Sequence, residues 1–364
     1  MRVEDQIKAI EEELKRTPYN KATQHHIGRL KAKLAKLNLQ LEKEEFKVKR
    51  AKARAGIRKS GNATIGLIGF PNVGKSTLLN ELTNAQSPIG EYDFTTVKVI
   101  PGMLDYKGAK LQILDLPGLI SGASKGKGRG SEILSVTRIL DLAIIILDCQ
   151  HLEQLDVILE ELYKAGVRLN STTPDIVITK KSTGGISINS TVKLTRLDEK
   201  TIKAILQEYR YANADVIIRE DIDDEQLIDF IAGNRAYVKC FIIINKIDLM
   251  KEVAHYDKIK CFDVIAISAK QKIGLEELKA KIFSALELIR IYLKPPGGEV
   301  DYEKPLVVKK NSTISDICDT IHRDFKRKFK YALIWGESAK FQGQRVGLEH
   351  VLKDNDVVSV VAGR

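Results

Sequence analysis

The chain has 364 residues, 43% of them hydrophobic, with 59 Lys+Arg against 48 Asp+Glu, a net charge of +11 and a pI near 9.2. That length can bury two or three domains' worth of core, no apolar run reaches the ~20 residues of a membrane span, and no secretory leader is expected. Cys149, Cys240, Cys261 and Cys318 form no C-x-x-C pair, which argues against disulfide and zinc roles and for a reducing cytoplasm, while the basic excess points to an anionic partner surface.

Most of that excess is N-terminal, since residues 1–60 hold 17 Lys+Arg against 8 Asp+Glu. Ile7, Ile10 and Leu14 mark a short amphipathic helix that TPYN breaks at Pro18. Ile27, Leu30, Leu34, Leu37 and Leu41 then step by three and four as the seam of a second. A helical hairpin over 1–60 is expected. It runs on into FKVKRAKARAGIRKSG, where Lys47, Lys49, Arg50, Lys52, Arg54, Arg58 and Lys59 crowd together. The cluster reads either as a solvated helix face or as a contact for RNA phosphates. His25 and His26 lack ligand-type partners at useful spacing and read as structural or solvent-facing.

Next, the apolar run ATIGLI leads into GFPNVGKSTLLN, a G-x-x-x-x-G-K-S loop between a strand and a helix. Gly69, Pro71, Asn72, Val73 and Gly74, with Lys75, Ser76 and Thr77 opening the helix, are expected to wrap phosphate oxygens. Lys75 would reach the β- and γ-phosphates, and the Ser76 hydroxyl would ligate Mg²⁺. In EYDFTTVKVIPG, either Thr95 or Thr96 is expected to close over Mg²⁺ and the γ-phosphate; the bland alternative is a β-edge threonine. ILDLPG places Asp115 and Gly118 in D-x-x-G form, with the Asp on Mg²⁺ through water and the Gly N–H on the γ-phosphate.

Ras-like proteins orient the attacking water with a glutamine just beyond that glycine, whereas Leu119 and Ile120 stand here. Slow intrinsic hydrolysis is expected. In GASKGKGRG, Lys125, Lys127 and Arg129 read either as flexible solvated cations or as charge supplied in cis.

Between Lys75 and Lys246 lie 171 steps of sequence, against about 100 in a minimal domain of this kind. The excess is read as an α/β insert over roughly 166–236. DIVITKK, GGISINS and ADVIIRE are its expected strands, and LDEKTIKAILQEY and DEQLIDFIAG its helices. Beyond it, FIIINKID offers Asn245, Lys246 and Asp248, and AISAK offers Ser268, Ala269 and Lys270. A carboxylate at 248 can accept from guanine N1–H and the exocyclic amine, donors that adenine lacks, so GTP is favoured over ATP. Past the linker-like LKPPGGEVDYEK, PLVVKK, TISDICDTIHRDF, YALIWG and DVVSVVAG read as β, α, β, β of a β-grasp. RDFKRKFK adds a second basic cluster, whose Phe325 and Phe329 read as core or as base-stacking platforms.

PYNKATQHHIGRLKAKLAKL, GFPNVGKSTLLN, DFTTVKVIPG, LPGLISGASKGKGRG, GNRAYVKC and FKYALIWG together resemble the developmentally regulated GTP-binding proteins, of the Obg-related translation-factor GTPases. The short gap between helices and P-loop looks like an archaeal member. The resemblance implies a P-loop α/β G domain over 61–290, holding the insert, and a C-terminal TGS domain over 291–364, suggested by VGLEHVLKDNDVV. It also implies ribosome or RNA association, a small zinc-finger partner as in eukaryotic relatives, and neither DNA nor membrane partners. Of the two threonines, the family's usage selects Thr96. Where eukaryotic members carry Ser this chain has Asn72, which in similar glutamine-lacking GTPases helps bind K⁺; the alternative is an Asn that suits the loop's backbone. The function expected is a GTP-hydrolysing switch in translation, the rival an RNA-binding scaffold with GTP as a structural ligand.

Overall fold

The computed structural model describes residues 3–20, 23–50, 60–83, 92–94, 97–116, 130–250, 258–321 and 323–363. These fall into two compact units, one drawn from 1–56, 122–138 and 157–238, the other from 57–121, 139–156 and 239–364.

In the first unit the helices Val3–Arg16 and Gln24–Arg50 form the expected hairpin. At the turn Thr23 N–H donates to Asn20 Oδ1 at 3.0 Å, and the Thr23 hydroxyl donates to Pro18 O at 2.6 Å. Ile10, Leu30 and Leu37 make the seam, with Ile7, Leu14 and Leu34 packed on it. A different face of the long helix buries Ala32 among Leu197, Ile202, Ile205 and Leu227 of the insert. Gly28 permits the approach, because a Cβ there would lie 2.6 Å from Thr201 Cγ2. Lys36 Nζ donates to Glu208 O at 2.7 Å, tying the same helix to the end of Glu199–Glu208.

The insert is a three-stranded sheet in the order Ile176–Lys180, Ala214–Ile218, Ile186–Ser190. Its second pair is parallel, so the chain must cross over, and the helix Glu199–Glu208 makes the crossing. The other helix, Asp224–Ala232, opens on a capping box between Asp223 and Gln226. All five elements match the sequence reading. Beside them Asp229 accepts from Arg168 Nε at 2.6 Å and Nη2 at 3.1 Å and from Arg235 Nε at 2.5 Å, which gives the arginine of GNRAYVKC a structural partner.

Because Ala32 is wholly buried against the insert, Ala32→Asp should unfold this unit selectively, an unpaired buried carboxylate costing several kcal/mol. Amide exchange should show protection lost in Ile176–Ile218 and kept in Ala63–Ile68. Unchanged protection in the insert would contradict the shared core.

The second unit holds the G-x-x-x-x-G-K-S loop and the sheet behind it. Its sheet runs Lys258–Ile259, Phe262–Ala266, the strand Ala236–Asn245 from residue 239 onward, Leu142–Asp148, Ala63–Ile68, Ala109–Asp115, Val97–Tyr106 and Tyr92–Phe94. The central strands are parallel, and ATIGLI and LAIIILD are buried along their whole length, as near-continuous apolar runs covered on both faces should be. Helices Lys75–Leu82 and Leu275–Ala285 pack Leu78, Leu79, Leu278 and Ile282 onto one face. Ala63–Ile68 pairs with Ala109–Asp115 on one side and Leu142–Asp148 on the other, so the strand order reverses there and opens a crevice at the carboxyl ends.

The same unit ends in a five-stranded sheet ordered Leu306–Lys309, Leu288–Leu293, Asp356–Ala362, Phe329–Trp335, Gln344–Val346. The Pro- and Gly-rich stretch after Leu293 joins the first two antiparallel neighbours of this sheet. Helix Ile314–Ile321 covers one face with Ile314, Ile317 and Cys318. Phe325 and Phe329 pack against that core and so are not open stacking platforms.

Candidate nucleotide-binding site

The local backbone of the P-loop explains its glycines. Gly74 takes φ 96°, in the left-handed region, and a Cβ on it would lie 2.3 Å from Asn245 Nδ2. Asn72 is also left-handed, at φ 65°, a conformation asparagine tolerates better than most residues. Together with Lys75, Ser76, Thr77, Asn245, Lys246, Asp248, Leu249, Ser268, Ala269 and Lys270, these two line a cavity of about 590 Å³.

At one end Lys75 is buried and folds back on the loop, donating to Gly69 O at 3.0 Å and Phe70 O at 2.8 Å. Burial holds its ammonium below the ordinary lysine range, against the opposing pull of Asp115. Ser76 Oγ donates to Asp115 Oδ2 at 2.6 Å. Asp115 is 1% exposed, and its Oδ1 has no hydrogen-bond partner among the described residues.

At the other end Ser268 Oγ donates to Asp248 Oδ1 at 2.6 Å and accepts from Gln271 N–H at 3.1 Å, which fixes the carboxylate. Asn245 is spent on the scaffold: Nδ2 donates to Val73 O at 2.8 Å, and Oδ1 accepts from Ala269 N–H at 3.0 Å. One buried amide thereby locks the phosphate loop, the N-K-x-D turn and the S-A-K turn together.

Three family models cover the chain in tandem: a 50S ribosome-binding GTPase over residues 64–181, the C-terminal region of that domain over 183–288, and a TGS domain over 289–362. A GTP-binding protein of Methanocaldococcus jannaschii is 52% identical, the match covering 100% of this chain and 94% of the relative. The developmentally regulated G-protein 3 of Arabidopsis thaliana is 46% identical, covering 98% and 97%. The developmentally regulated GTP-binding protein 2 of Bos taurus is 43% identical, covering 99% and 100%. The chain belongs to the developmentally regulated GTP-binding proteins.

For this family member, three expected P-loop residues stand off the cavity wall. Val73 is in the core, Gly69 backs onto Ile146 O, where a Cβ would lie at 2.5 Å, and Pro71 is exposed. Thr95, Thr96, Gly118, Leu119, Lys125, Lys127 and Arg129 lie outside the described residues. The sequence reading missed Asp148, which accepts from Lys246 Nζ at 2.7 Å and from Gln150 N–H at 3.0 Å. Burial pushes its carboxyl up, but the lysine and the amide outweigh that and hold it below the usual carboxylate range. The signal was legible: an aspartate ending LAIIILD sits where ligand-side strand ends fall. Leu249, 55% exposed on the wall, was missed as well.

The donor set suits Mg²⁺. A buried carboxylate oxygen without a partner, beside a serine hydroxyl held on the same carboxylate, is hard oxygen chemistry that a divalent cation satisfies.

Gly74→Ala should abolish tight guanine-nucleotide binding, because the methyl strains φ 96° and displaces the amide of Asn245 from two loops at once. Calorimetry should find affinity for GDP reduced at least ~100-fold. Affinity within threefold of the parent would refute the interlock.

Proposed function

We propose that this protein is a GTP-hydrolysing switch acting on ribosomes, in which water attacks the γ-phosphorus, the bond to the β–γ bridging oxygen breaks, and GDP and phosphate result. The observation that supports it best is a single cavity with a serine-anchored aspartate at one end and Lys75, Ser76 and Asp115 near the other. Asp248 reads guanine. Lys75, released from its loop carbonyls, pairs with β- and γ-oxygens, and Asp115 opposes part of the effect of burial on its ammonium. Ser76 and Asp115 would hold Mg²⁺, which would supply positive charge against the phosphates.

Thr96 and the Gly118 N–H are assigned to the γ-phosphate on the family pattern. Asn72, on the cavity wall with no hydrogen bond to a described residue, is assigned to K⁺, which would add positive charge at the β- and γ-oxygens. With leucine after Gly118, unaided turnover is slow. The ribosome assignment draws on the description of the matching family model and on the basic N-terminus. A small zinc-finger protein is proposed as partner on the family resemblance alone. The described residues contain no helix long and apolar enough to cross a membrane; action in the cytoplasm is proposed on the family resemblance alone.

Single- and multiple-turnover GTP hydrolysis with and without ribosomal subunits tests the reading, paired with co-sedimentation in GTP and GDP across a salt series. Ribosome-stimulated turnover and GTP-favoured pelleting are expected. Binding without turnover under any condition would leave a scaffold that uses GTP only as a structural ligand.

A further inference from the structure

Lys75 and Lys246 both line the nucleotide cavity, and they are held in different ways. Lys75 donates to the carbonyls of Gly69 and Phe70, neutral acceptors that it can exchange for phosphate oxygens. Lys246 Nζ donates to Asp148 Oδ2 at 2.7 Å, and that aspartate is 8% exposed. Withdrawing the ammonium would strand a buried charge, so this pair stays closed when a ligand arrives. Burial raises the Asp148 carboxyl, yet the lysine outweighs it and keeps the group ionised.

The backbone is fixed from the same place. Asp148 is the register partner of Asn245, Cys149 N–H donates to Asn245 O at 3.1 Å, and Cys149 Sγ donates to Lys246 O at 3.1 Å. Lys246 takes φ 67°, a left-handed conformation that lysine adopts only where its surroundings impose it. Both its backbone and its tip are thus anchored on the end of Leu142–Asp148, while Asp148 itself does not line the cavity. What Lys246 has left to offer a ligand is its four-carbon stem.

We propose that Asp148 is a positioning residue for the base: it holds the ammonium of Lys246 aside, so that the stem forms an apolar floor for the purine face. The proposal rests on the guanine reading of Asp248 above. Asp248 meets the edge of the base, where purines differ, and Lys246 meets the face, where they are alike. A stem already fixed at both ends binds without further ordering, whereas a free lysine must be ordered as the base arrives.

Calorimetry on the full-length chain measures affinity for GDP and for inosine diphosphate, which lacks the exocyclic amine and so loses an edge contact. The variants are Asp148→Asn, Lys246→Met and the two combined, each checked for folding by thermal unfolding. Asp148→Asn keeps an oxygen for Gln150 N–H, so the turn should hold. Affinity for both nucleotides should fall about tenfold with their ratio unchanged, because the face is disturbed and the edge is not. Lys246→Met keeps an apolar stem but strands the Asp148 charge, and it should bind weakly. The double variant has neither charge and should return to within about threefold of the parent. An ammonium that itself contacts the nucleotide gives the opposite result, a double variant as weak as Lys246→Met, and that overturns the proposal. A changed nucleotide ratio in Asp148→Asn also overturns it. Should Asp148→Asn unfold, the double variant against Lys246→Met decides alone. Parent-like affinity of Asp148→Asn removes this proposal only, whereas a parent that binds neither nucleotide removes the guanine reading with it.

Discussion

Asp248→Asn should exchange the nucleotide that the protein prefers. The substituted amide keeps an oxygen to accept from Ser268, whose hydroxyl stands 2.6 Å from Asp248 Oδ1, so the turn should hold its shape. What changes is the edge offered to the base. An amide nitrogen brings donors against guanine N1–H and its exocyclic amine, leaving buried donors face to face, while xanthine presents a carbonyl where guanine has the amine. Loss of GTP affinity by about 100-fold or more, with a gain for xanthosine triphosphate, is expected from the steep cost of unpaired polar groups in such sites. Calorimetry with both nucleotides measures it. Parent-like GTP affinity would remove Asp248 from base recognition.

Hydrolysis should run well above its Na⁺ rate in K⁺ at equal ionic strength, and Asn72→Ala should erase the difference while leaving nucleotide affinity nearly intact. The reasoning is electrostatic: with leucine after Gly118, extra positive charge at the β–γ bridge matters most where charge builds in the transition state, and one missing donor in such sites costs about 10²–10³ in rate. The backbone of Asn72, at φ 65°, also suits asparagine for conformational reasons, which is why the substitution must be read in rate and not in folding. Equal rates in the two salts would transfer the role to Lys125, Lys127 or a ribosomal group.

Much of this architecture is legible in the sequence because each element carries its own periodicity. LAIIILD and FIIIN are apolar throughout because both sheet faces are covered, and LDEKTIKAILQEY repeats every three or four residues because one face meets a sheet. The nucleotide residues are legible because P-loop, D-x-x-G, N-K-x-D and S-A-K motifs are local. What escaped reading is non-local. Asp148 matters through Lys246, 98 residues away, and no spacing rule links the two. Asn245 fits the motif for a base contact, yet both ends of its amide are spent on backbone. Phe325 and Phe329 stand among cations in sequence, but the short helix Arg323–Arg327 and the first residue of the strand Phe329–Trp335 set them against the core.

The core shared by the long N-terminal helix and the insert sets a timetable for synthesis. Lys36 and its acceptor Glu208 are 172 residues apart, so at ~5–20 residues per second the hairpin waits on the order of 10–30 s for its second partner. Through that interval Ala32 and its neighbours face water on a nascent chain, and the helix has only Val3–Arg16 to lean on. Slow codons or a pause before residue 208 would lengthen that exposure, whereas pauses after the insert has emerged would not.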